Sequence, residues 1–419
     1  MKILVIGSGA REHAIIHTLL KDTDVKSVIA APGNAGIAEI VPTYSLDIKD
    51  PAATLQLAQS NHIDLVVIGP EIPLAHGVAD VLRENNFVVF GPNKNAAQIE
   101  SSKSFAKDVM MSAGVATAGW FNCTNITEVE NALDAFSAPY VVKDDSLAQG
   151  KGVVVTNDKA EALAHAQSCL EHGMVVVEEF LSGKEVSLFL LADGKRTIPL
   201  VPAQDFKRVF DNDEGANTGG MGAYSPLTFV GDDLGEFVAR EIGDKVVAEL
   251  AKRGMPFIGL LYAGLIVTSS GVKVIEFNAR FGDPETQVVL SRLLSPLGTV
   301  LLRTAQGELD SLPPLQWSSE SAVTVVIASE NYPESPVTGY VIEGLELAKI
   351  VEGVEIFHAG TKAEGDDILS AGGRVLSVTA LGKDLKSARS RAYEAISHIR
   401  LQGSHYRRDI AQKASDNLG

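Results

Sequence analysis

The chain has 419 residues, a length that favours about three domains over a single hydrophobic core. Its 53 acidic side chains outnumber the 36 basic ones, and the net charge of −17 argues against a general binder of nucleic acid or anionic membranes. Two cysteines leave no disulfide framework and no Cys-based zinc site, and no apolar run reaches the ~20 residues of a membrane helix. These features predict a soluble, cytoplasmic protein large enough to be an enzyme.

The first hundred residues alternate short β-branched runs with helical patterns, which predicts a βαβ series and a parallel sheet. The predicted strands are 3–6, 25–31, 65–68 and 88–90, and the helical segments are 12–20, 52–60 and 78–84. A loop rich in Gly or Pro follows each strand. Because ligands of open α/β sheets bind at the carboxyl ends of the strands, we expect these loops to form one pocket.

The first of these loops, G-S-G-A-R-E-H at 7–13, nearly matches a dinucleotide fingerprint. Glu12 replaces the third glycine of that fingerprint, however, and no acidic residue ends the second strand. Backbone N–H groups near Gly7 and Gly9 could still face an anion at a helix start, so a phosphate monoester is the better functional interpretation. A plain tight turn is the alternative.

A smaller α+β unit is predicted after a helix at 101–113, with strands at 140–143, 153–156, 175–178 and 185–191. Its segment K-D-D-S-L-A-Q-G-K-G-V at 143–153 places Lys143 at a strand end, before a glycine loop that contains Lys151. The spacing is not that of a Walker A loop, since position 145 is not Gly and no Ser or Thr follows Lys151. The segment is interpreted as a flap over a triphosphate, or as an ordinary hairpin turn.

Two further segments carry polar groups suited to a nucleotide or an anion. The bend E-E-F-L at 178–181 offers a backbone donor and acceptor to an adenine edge, and Glu185 could take ribose hydroxyls. The segments Q-D-F-K-R at 204–208 and N-T-G-G-M-G-A-Y-S-P at 217–226 supply cations and then closely spaced glycines, which let a backbone close around a small anion. A charged hairpin and a surface loop are the respective alternatives.

After a helical pattern at 234–253 and a strand at 258–267, the segment V-I-E-F-N-A-R-F-G-D-P-E-T-Q at 274–287 is the most informative of the chain. In strand geometry Glu276 and Asn278 share a face, roughly 7 Å apart. Their oxygens form part of the cage that Mg²⁺ prefers, completed by phosphate and water, and Arg280 could grip an anionic oxygen. A strand end with solvated charges is the alternative. Short strands follow from 321, and a last helix is predicted at 385–399.

In this order the segments resemble the ATP-grasp superfamily and, within it, the phosphoribosylamine–glycine ligase (glycinamide ribonucleotide synthetase) family. The similarity extends over essentially the whole chain and includes S-K-S-F-A-K at 102–107 and Y-R-R-D-I at 406–410. The element R-F-G-D-P-E-T-Q at 280–287 is its most specific part.

The resemblance implies ATP-dependent ligation of glycine to 5-phosphoribosylamine through glycyl phosphate, which gives glycinamide ribonucleotide, ADP and phosphate in the second step of de novo purine synthesis. It implies a multidomain α/β and α+β fold with an N-terminal parallel α/β (pre-ATP-grasp) domain at 1–100. An ATP-grasp core at 101–122 and 193–320, a mobile lid at 123–192 and a small C-terminal α+β domain at 321–419 would follow. The implied partners are glycine, 5-phosphoribosylamine and ATP with Mg²⁺ or Mn²⁺, without nucleic acid or membrane, and the expected state is a cytoplasmic monomer.

Carried onto this sequence, the motifs of the family imply three groups of site residues. ATP would contact Lys103, Lys143, Gly150, Lys151, Gly152, Glu178, Glu179, Phe180, Leu181 and Glu185. The other substrates would contact Gly9, Gly33, Asn34, Glu71, Gly219, Gly220, Met221, Gly222, Arg280 and Asp283. Glu276 and Asn278 would hold the metal ion, and Arg280, Asp283 and Lys143 would act in catalysis.

The chain departs from the pattern of the family at a few positions. Asp144, Ser146 and Gln149 stand in the flap where smaller residues are usual, so flap closure or ATP affinity is expected to differ. Phe206 stands where the family commonly has His. The strand before E-F-N offers no acidic metal ligand, which leaves the full metal shell open.

Two other functions compete with this interpretation. One is a different ATP-grasp ligase, which would activate formate or bicarbonate instead of glycine. The other is a catalytically silent nucleotide-binding protein, for which the altered flap is the only support.

Overall fold

The computed structural model describes residues 1–146 and 152–416. The N-terminal domain is a parallel sheet in the order β2-β1-β3-β4, which confirms the predicted βαβ series. Strand β1 is fully buried from Ile3 to Ile6, as expected of a parallel strand covered on both faces. The elements of this domain are β1 (Lys2–Gly7), α1 (Ala10–Leu19), β2 (Ser27–Pro32), α2 (Ala35–Ile40), α3 (Pro51–Ser60), β3 (Leu65–Ile68), α4 (Glu71–Ala75), α5 (Val78–Glu84) and β4 (Val88–Phe90).

Two helices, α6 (Gln98–Ser101) and α7 (Lys103–Ala113), lead from this domain into the lid. The sequence pattern predicted one helix from 101. The structure separates the two at Ser102, whose hydroxyl accepts a hydrogen bond from the N–H of Phe105 and caps α7.

The lid is an antiparallel sheet in the order β5-β8-β6-β7. Its elements are β5 (Trp120–Cys123), α8 (Ile126–Phe136), β6 (Tyr140–Asp144), β7 (Val153–Thr156), α9 (Lys159–Leu170) and β8 (Val175–Glu178). The helices enclose a small core of their own that contains Leu133, Val142 and both cysteines, Cys123 and Cys169. The lid is therefore a separate packing unit.

The following segment forms most of the central domain. Its elements are β9 (Lys184–Asp193), β10 (Thr197–Pro199), β11 (Gln204–Asp205), β12 (Arg208–Phe210), β13 (Glu214–Asn217), β14 (Gly222–Ser225), α10 (Leu234–Val238), α11 (Asp244–Lys252), β15 (Ile258–Thr268), β16 (Gly271–Asn278), α12 (Glu285–Ser291) and α13 (Leu297–Ala305). The central sheet has the order β10-β9-β15-β16. Strand β9 pairs with β15 along its whole length, so it belongs to this sheet, although the resemblance implied a lid at 123–192.

The helical pattern at 234–253 corresponds to α10 and α11 joined by a π-helical turn, Ala239–Gly243. The helix passes close to the sheet here, because a side chain at Gly243 would lie 2.6 Å from Thr197 and 2.7 Å from Leu190. None of the helices in the described ranges is both long and apolar enough to span a bilayer.

The C-terminal domain contains β17 (Ser321–Ala328), β18 (Ile342–Glu343), α14 (Leu345–Lys349), β19 (Val354–His358), β20 (Thr361–Glu364), β21 (Asp367–Ser370), β22 (Arg374–Gly382), α15 (Leu385–His398), β23 (Arg400–Leu401) and α16 (Gln412–Asp416). Its main sheet has the order β11-β14-β17-β22-β19, so two strands of the central segment complete it. The short helix α16 follows α15, which the sequence pattern had predicted to be the last helix.

Buried histidines join the N-terminal domain to the C-terminal domain. The N–H of His358 donates to Nδ1 of His13 (3.0 Å), and the Asn34 amide donates to the carbonyl of His358 (2.7 Å). Burial, with a smaller contribution from His358, lowers the pKa of His13 to about 3, and burial lowers the pKa of His358 to about 4. Both rings are therefore neutral at neutral pH.

We predict that this junction makes the protein sensitive to acid. Because the unfolded chain binds protons at these histidines below about pH 6.5 and the folded chain does not, stability is complete above that pH and falls as the pH drops toward 4. His13→Asn keeps an acceptor near the Nδ1 position but cannot titrate. As the pH falls, the unfolding free energy of this variant should decrease less steeply than that of the parent protein. The two slopes should differ by up to about 1.4 kcal/mol per pH unit.

Urea unfolding at a series of pH values between neutral and mildly acidic measures the slope. His172→Asn, at an exposed histidine of the lid, is the matched control and should keep the slope of the parent protein. Identical slopes for His13→Asn and the parent protein would contradict the prediction.

Candidate active site

One large cleft, with a volume of about 1890 Å³, lies between the domains. The N-terminal domain, the lid, the central sheet and the C-terminal domain all contribute to its wall. Most residues singled out by the sequence meet here. Those that line the cleft are Gly9, Glu71, Lys103, Lys143, Gly152, Glu178, Glu179, Phe180, Leu181, Glu185, Gly219, Glu276, Asn278, Arg280 and Asp283. Gly150 and Lys151 lie outside the described residues.

Of the glycine-rich loops of the first sheet, those after the two central strands, β1 and β3, reach the cleft wall. Gly33 and Asn34, after the outer strand β2, are not part of that wall. Asn34 donates its side-chain amide to the carbonyls of Ser8 (2.8 Å) and His358 (2.7 Å), so it joins two domains. The structure therefore divides loops that the sequence pattern grouped in one pocket.

The glycine loop at 7–12 is occupied by a carboxylate of the protein itself. Glu12, which is 1% exposed, accepts hydrogen bonds from the N–H of Gly9 and from the guanidinium of Arg11. A side chain at Gly7 would meet Glu12 at 2.6 Å. Glu12 therefore takes the N–H of Gly9, and an anion facing this loop would have to use the neighbouring N–H groups of the helix start.

A buried carboxylate stands between two lysines at the junction of the lid and α7. Oε2 of Glu178 lies 2.9 Å from Nζ of Lys143 and 3.2 Å from Nζ of Lys107, which also donates to Thr117. Oε1 of Glu178 has no hydrogen-bond partner within the described part of the chain. Burial lowers the pKa of Lys107 to about 8, and the Glu178 carboxylate opposes that shift.

Lys103 faces the base of the predicted flap. Its ammonium donates to the carbonyls of Asp144 (2.6 Å) and Ser146 (3.2 Å), and the side chain of Asp145 accepts from the N–H of Ser104 (2.6 Å). The first turn of α7 and the end of β6 are therefore tied together, which places Lys103 and Lys143 on the same side of the cleft.

Glu185 on β9 is held by a lysine from the following strand segment. Nζ of Lys207 lies 2.5 Å from Oε2 of Glu185 and 3.7 Å from Oδ1 of Asp205. Lys207 lowers the pKa of Glu185 and outweighs the opposite effect of burial. The carboxylate is therefore charged and fixed at the cleft wall.

Glu276 and Asn278 lie at the end of β16, half-buried and both facing the cleft. A β-bulge in the pairing with β15 precedes them, and Glu276 contributes to the electrostatic environment of Lys103, Lys107 and Lys207. Within residues 1–146 and 152–416, no three His, Cys, Asp or Glu side chains form a group that could hold a metal ion. A carboxylate and a carboxamide are nevertheless hard oxygen donors that suit Mg²⁺ when phosphate oxygens complete the shell.

Arg280 is paired with two carboxylates of the N-terminal half. Its guanidinium lies 2.8 Å from Glu100 and 3.4 Å from Glu71, and the second oxygen of Glu100 accepts from the N–H of Ala279. Burial alone would lower the pKa of Arg280, but Glu100 and Glu71 raise it. Arg280 is therefore a fixed charge that joins two domains at the cleft.

Asp283 and the 217–226 segment are held by Arg374 from the C-terminal domain. The guanidinium of Arg374 donates to the carbonyls of Gly219 (2.6 Å) and Asp283 (2.7 Å), and the hydroxyl of Tyr332 accepts from the N–H of Gly219 (3.0 Å). Gly220, Met221 and Gly222 are not among the lining residues. Met221 is fully buried, and Gly222 begins strand β14, where a side chain would lie 2.7 Å from the carbonyl of Thr324.

A buried polar cluster on the floor of the cleft was not predicted as a unit from the sequence. Oε1 of Glu285 accepts from the hydroxyls of Tyr262 (2.7 Å) and Ser187 (3.2 Å), and Asp205 lies 3.4 Å from the same serine hydroxyl. Burial raises the pKa of Asp205 to about 7, although Lys207 opposes the shift. This cluster presents two carboxyl groups to the cleft.

Some of the cleft residues that were assigned no individual role from the sequence carried a local signal. Lys107 lies four residues after Lys103, so the two share a helix face. Glu285 lies within the R-F-G-D-P-E-T-Q element already noted. Arg374 and Tyr332 carried none, because the contacts of these residues with Gly219 join positions more than a hundred residues apart.

Comparison with known proteins matches the entire architecture. Models of phosphoribosylglycinamide synthetase match the chain in its N domain (residues 1–100), ATP-grasp (A) domain (101–286) and C domain (322–413). A phosphoribosylamine–glycine ligase of Streptomyces coelicolor is 58% identical over 99% of this chain and 100% of its own length.

Solved structures give the same result. A crystal structure of phosphoribosylamine–glycine ligase from Thermotoga maritima superimposes with a TM-score of 0.84 at 32% identity, covering 98% of this chain and 100% of that one. A biotin carboxylase domain from Hydrogenobacter thermophilus, solved with ADP, magnesium and bicarbonate, has a TM-score of 0.73 at 16% identity. It covers 97% of this chain and 91% of that one, and it shares the fold.

We predict that Glu178→Gln destabilises the lid junction. The change leaves two buried lysines without their shared anion, and breaking a buried ion pair costs about 3 kcal/mol. Urea unfolding followed by tryptophan fluorescence measures the loss, since Trp120 lies beside Lys107. Glu171→Gln, at an exposed carboxylate of the lid, is the control, and equal stability of the two variants would refute the prediction.

Proposed function

The chain belongs to the phosphoribosylglycinamide synthetase family of ATP-grasp ligases, and we propose that its cleft joins glycine to 5-phosphoribosylamine at the expense of ATP. The products are glycinamide ribonucleotide, ADP and phosphate, as in the second step of de novo purine synthesis. One observation carries the proposal: a single cleft contains lysines at one wall, an oxygen-donor pair at the end of β16 and a buried acidic cluster on its floor.

The proposed reaction has two steps. An oxygen of the glycine carboxylate attacks the γ-phosphorus of ATP, which releases ADP and leaves glycyl phosphate. The amine nitrogen of phosphoribosylamine then attacks the acyl carbon, the bond from that carbon to the phosphate oxygen breaks, and the amine loses a proton. Such phosphoryl and acyl transfers depend mainly on positioning and on neutralisation of charge.

The nucleotide end of the cleft is proposed to lie between the lid and β16. Lys103 and Lys143 would neutralise the phosphates, while the segment 178–181 and Glu185 would bind adenine and ribose. Glu276 and Asn278 would hold Mg²⁺ or Mn²⁺, which when bound would reduce the repulsion between the phosphates and the incoming carboxylate. The ion pair between Glu178 and Lys143 supports this assignment, because it fixes the lysine through a contact within the protein.

The buried acidic cluster is proposed to take the ammonium group of glycine. Asp205 and Glu285 supply the negative charge. The hydroxyls of Tyr262 and Ser187 orient the Glu285 carboxylate through hydrogen bonds. The cluster adds polar, acidic groups to the wall of the cleft, which suits the ammonium group of an amino acid. Arg280 and Asp283 would act at the acyl phosphate, beside the neighbouring Gly219.

The opposite end of the cleft is proposed to receive phosphoribosylamine. Gly9 and Glu71 line it from the N-terminal domain, and Arg374 and Tyr332 line it from the C-terminal domain. Both domains must therefore be docked for this end to be complete. Action as a monomer in the cytoplasm is part of the proposal, and the reduced, buried cysteines are compatible with it.

The direct test is release of ADP from Mg-ATP in the presence of glycine and freshly prepared 5-phosphoribosylamine. We expect release to require both substrates, and formate or bicarbonate not to replace glycine. Glu276→Ala should lower kcat about a hundredfold or more, because the metal ion that would balance the charge on the phosphates loses a ligand. Lys273→Ala, on the same strand but away from the cleft, is the control. Release that ignores glycine would refute the proposal.

The glycine subsite predicts a pH dependence. Protonation of Asp205, whose pKa is raised to about 7, removes charge that the ammonium needs, so KM for glycine should rise as the pH falls from about 8 to about 6. Asp205→Asn should raise KM about tenfold and make it nearly independent of pH in this range. Asp232→Asn, at an exposed carboxylate, is the control. An unchanged KM in Asp205→Asn would exclude this subsite.

A further inference from the structure

The Y-R-R-D-I segment at 406–410 has no role in the function proposed above, yet it lies against the cleft. Asp409 and residues 411–414 line the wall, close to the central strands. Within this segment, Arg407 is only 1% exposed and is among the largest fully buried side chains of the described residues. A guanidinium buried to this extent must be compensated by specific partners.

Those partners are Asp409 and the segment 206–213. Nη1 of Arg407 donates to the carbonyl of Arg208 (3.1 Å) and to the carboxylate of Asp213 (2.8 Å). Nε and Nη2 donate to the two carboxylate oxygens of Asp409, at 2.8 and 2.7 Å, and form a bidentate ion pair. The guanidinium also lies 5.0 Å from the ring centre of Phe206, a cation–π distance.

These contacts hold the residues on both sides of Lys207. Phe206 is fixed by its ring, and Arg208 is fixed by its carbonyl. The carbonyl of Lys207 in turn accepts from the N–H of Thr218 (2.8 Å). With its backbone fixed in this way, Lys207 can extend its ammonium to Glu185 at 2.5 Å.

Phe206 contributes an aromatic contact to this arrangement. Because Phe206 has no polar atom in its side chain, its attraction to Arg407 depends on the face of the aromatic ring. The centre of the Phe206 ring is also 6.2 Å from that of the Tyr224 ring. The chain thus combines an apolar residue at this position with a buried guanidinium.

We propose that Arg407 is a positioning residue that acts through Lys207 to fix Glu185 for a nucleotide. This inference rests on the proposed function, because Glu185 is assigned there to the ribose. The C-terminal domain would then contribute to nucleotide binding through Arg407, without a side chain of its own in contact with the nucleotide.

The chain contains a natural control for the structural effect of loosening this segment. Arg389 on α15 also holds the segment 406–410, through the carbonyls of Arg408 and Ile410. Its cation–π partner is Tyr393, and no hydrogen bond or ion pair joins it to 206–213 among the described residues. Arg389→Met therefore weakens the anchoring of the segment without removing the link to Lys207.

The test is a double-mutant cycle on the affinity for Mg-ADP, measured by calorimetry on the full-length protein. Arg407→Met and Lys207→Met should each weaken binding by roughly tenfold, and the double variant should bind about as weakly as Lys207→Met alone. Arg389→Met should bind like the parent protein. Phe206→Leu, which keeps the apolar bulk but lacks the ring face, should weaken binding about threefold and replaces Arg407→Met if that variant does not fold.

The other outcomes overturn the inference. If the two single effects multiply to roughly a hundredfold loss, Arg407 acts independently of Lys207. Unchanged affinity in Arg407→Met or Phe206→Leu, or an equal loss in Arg389→Met, removes the positioning role. If the parent protein fails to bind Mg-ADP, the proposed function fails as well. If the parent protein binds Mg-ADP but the double-mutant cycle shows no coupling between Arg407 and Lys207, only the positioning role is refuted.

Discussion

Charges buried between domains must be neutralised, and this requirement determines how the cleft is built. Arg280 from the central domain faces Glu71 and Glu100, and Glu178 from the lid faces Lys107 and Lys143. A single buried charge is strongly destabilising, but a partnered one is tolerated. Each pair therefore fixes two elements relative to each other, and the sum of these constraints defines one cleft.

The same pairs prepare the cleft for its chemistry. Transfer of a phosphoryl group creates and moves negative charge, and fixed cations stabilise it without having to reorganise during the reaction. Lys143 is oriented in this way by the buried carboxylate of Glu178. Buried ion pairs contribute little net stability compared with an apolar core, so their presence is better explained by this preorganisation than by folding.

The sequence predicts local structure and the order of the motifs, but not which residues meet. The strands of the parallel sheet follow from β-branched runs, and the E-F-N segment faces the cleft as strand periodicity requires. The assignment of β9 to the central sheet depends on ten residues paired with β15, about seventy positions away, and no local pattern contains that information. A glycine in the sequence likewise does not show whether it serves a binding site or close packing. Gly219 lines the cleft, whereas Gly222 allows a neighbouring strand to approach and Gly7 leaves space for the Glu12 side chain.

The central claim is that Glu276 and Asn278 hold the divalent ion at which the nucleotide and amino-acid ends of the cleft meet. Crystals grown with Mn²⁺, a non-hydrolysable ATP analogue and glycine, and measured at a wavelength that gives anomalous signal from manganese, test it most directly. The account predicts an anomalous peak bonded to the Glu276 carboxylate and the Asn278 carboxamide oxygen, with the phosphates facing Lys103 and Lys143. A fully occupied nucleotide with the manganese bound elsewhere would contradict it.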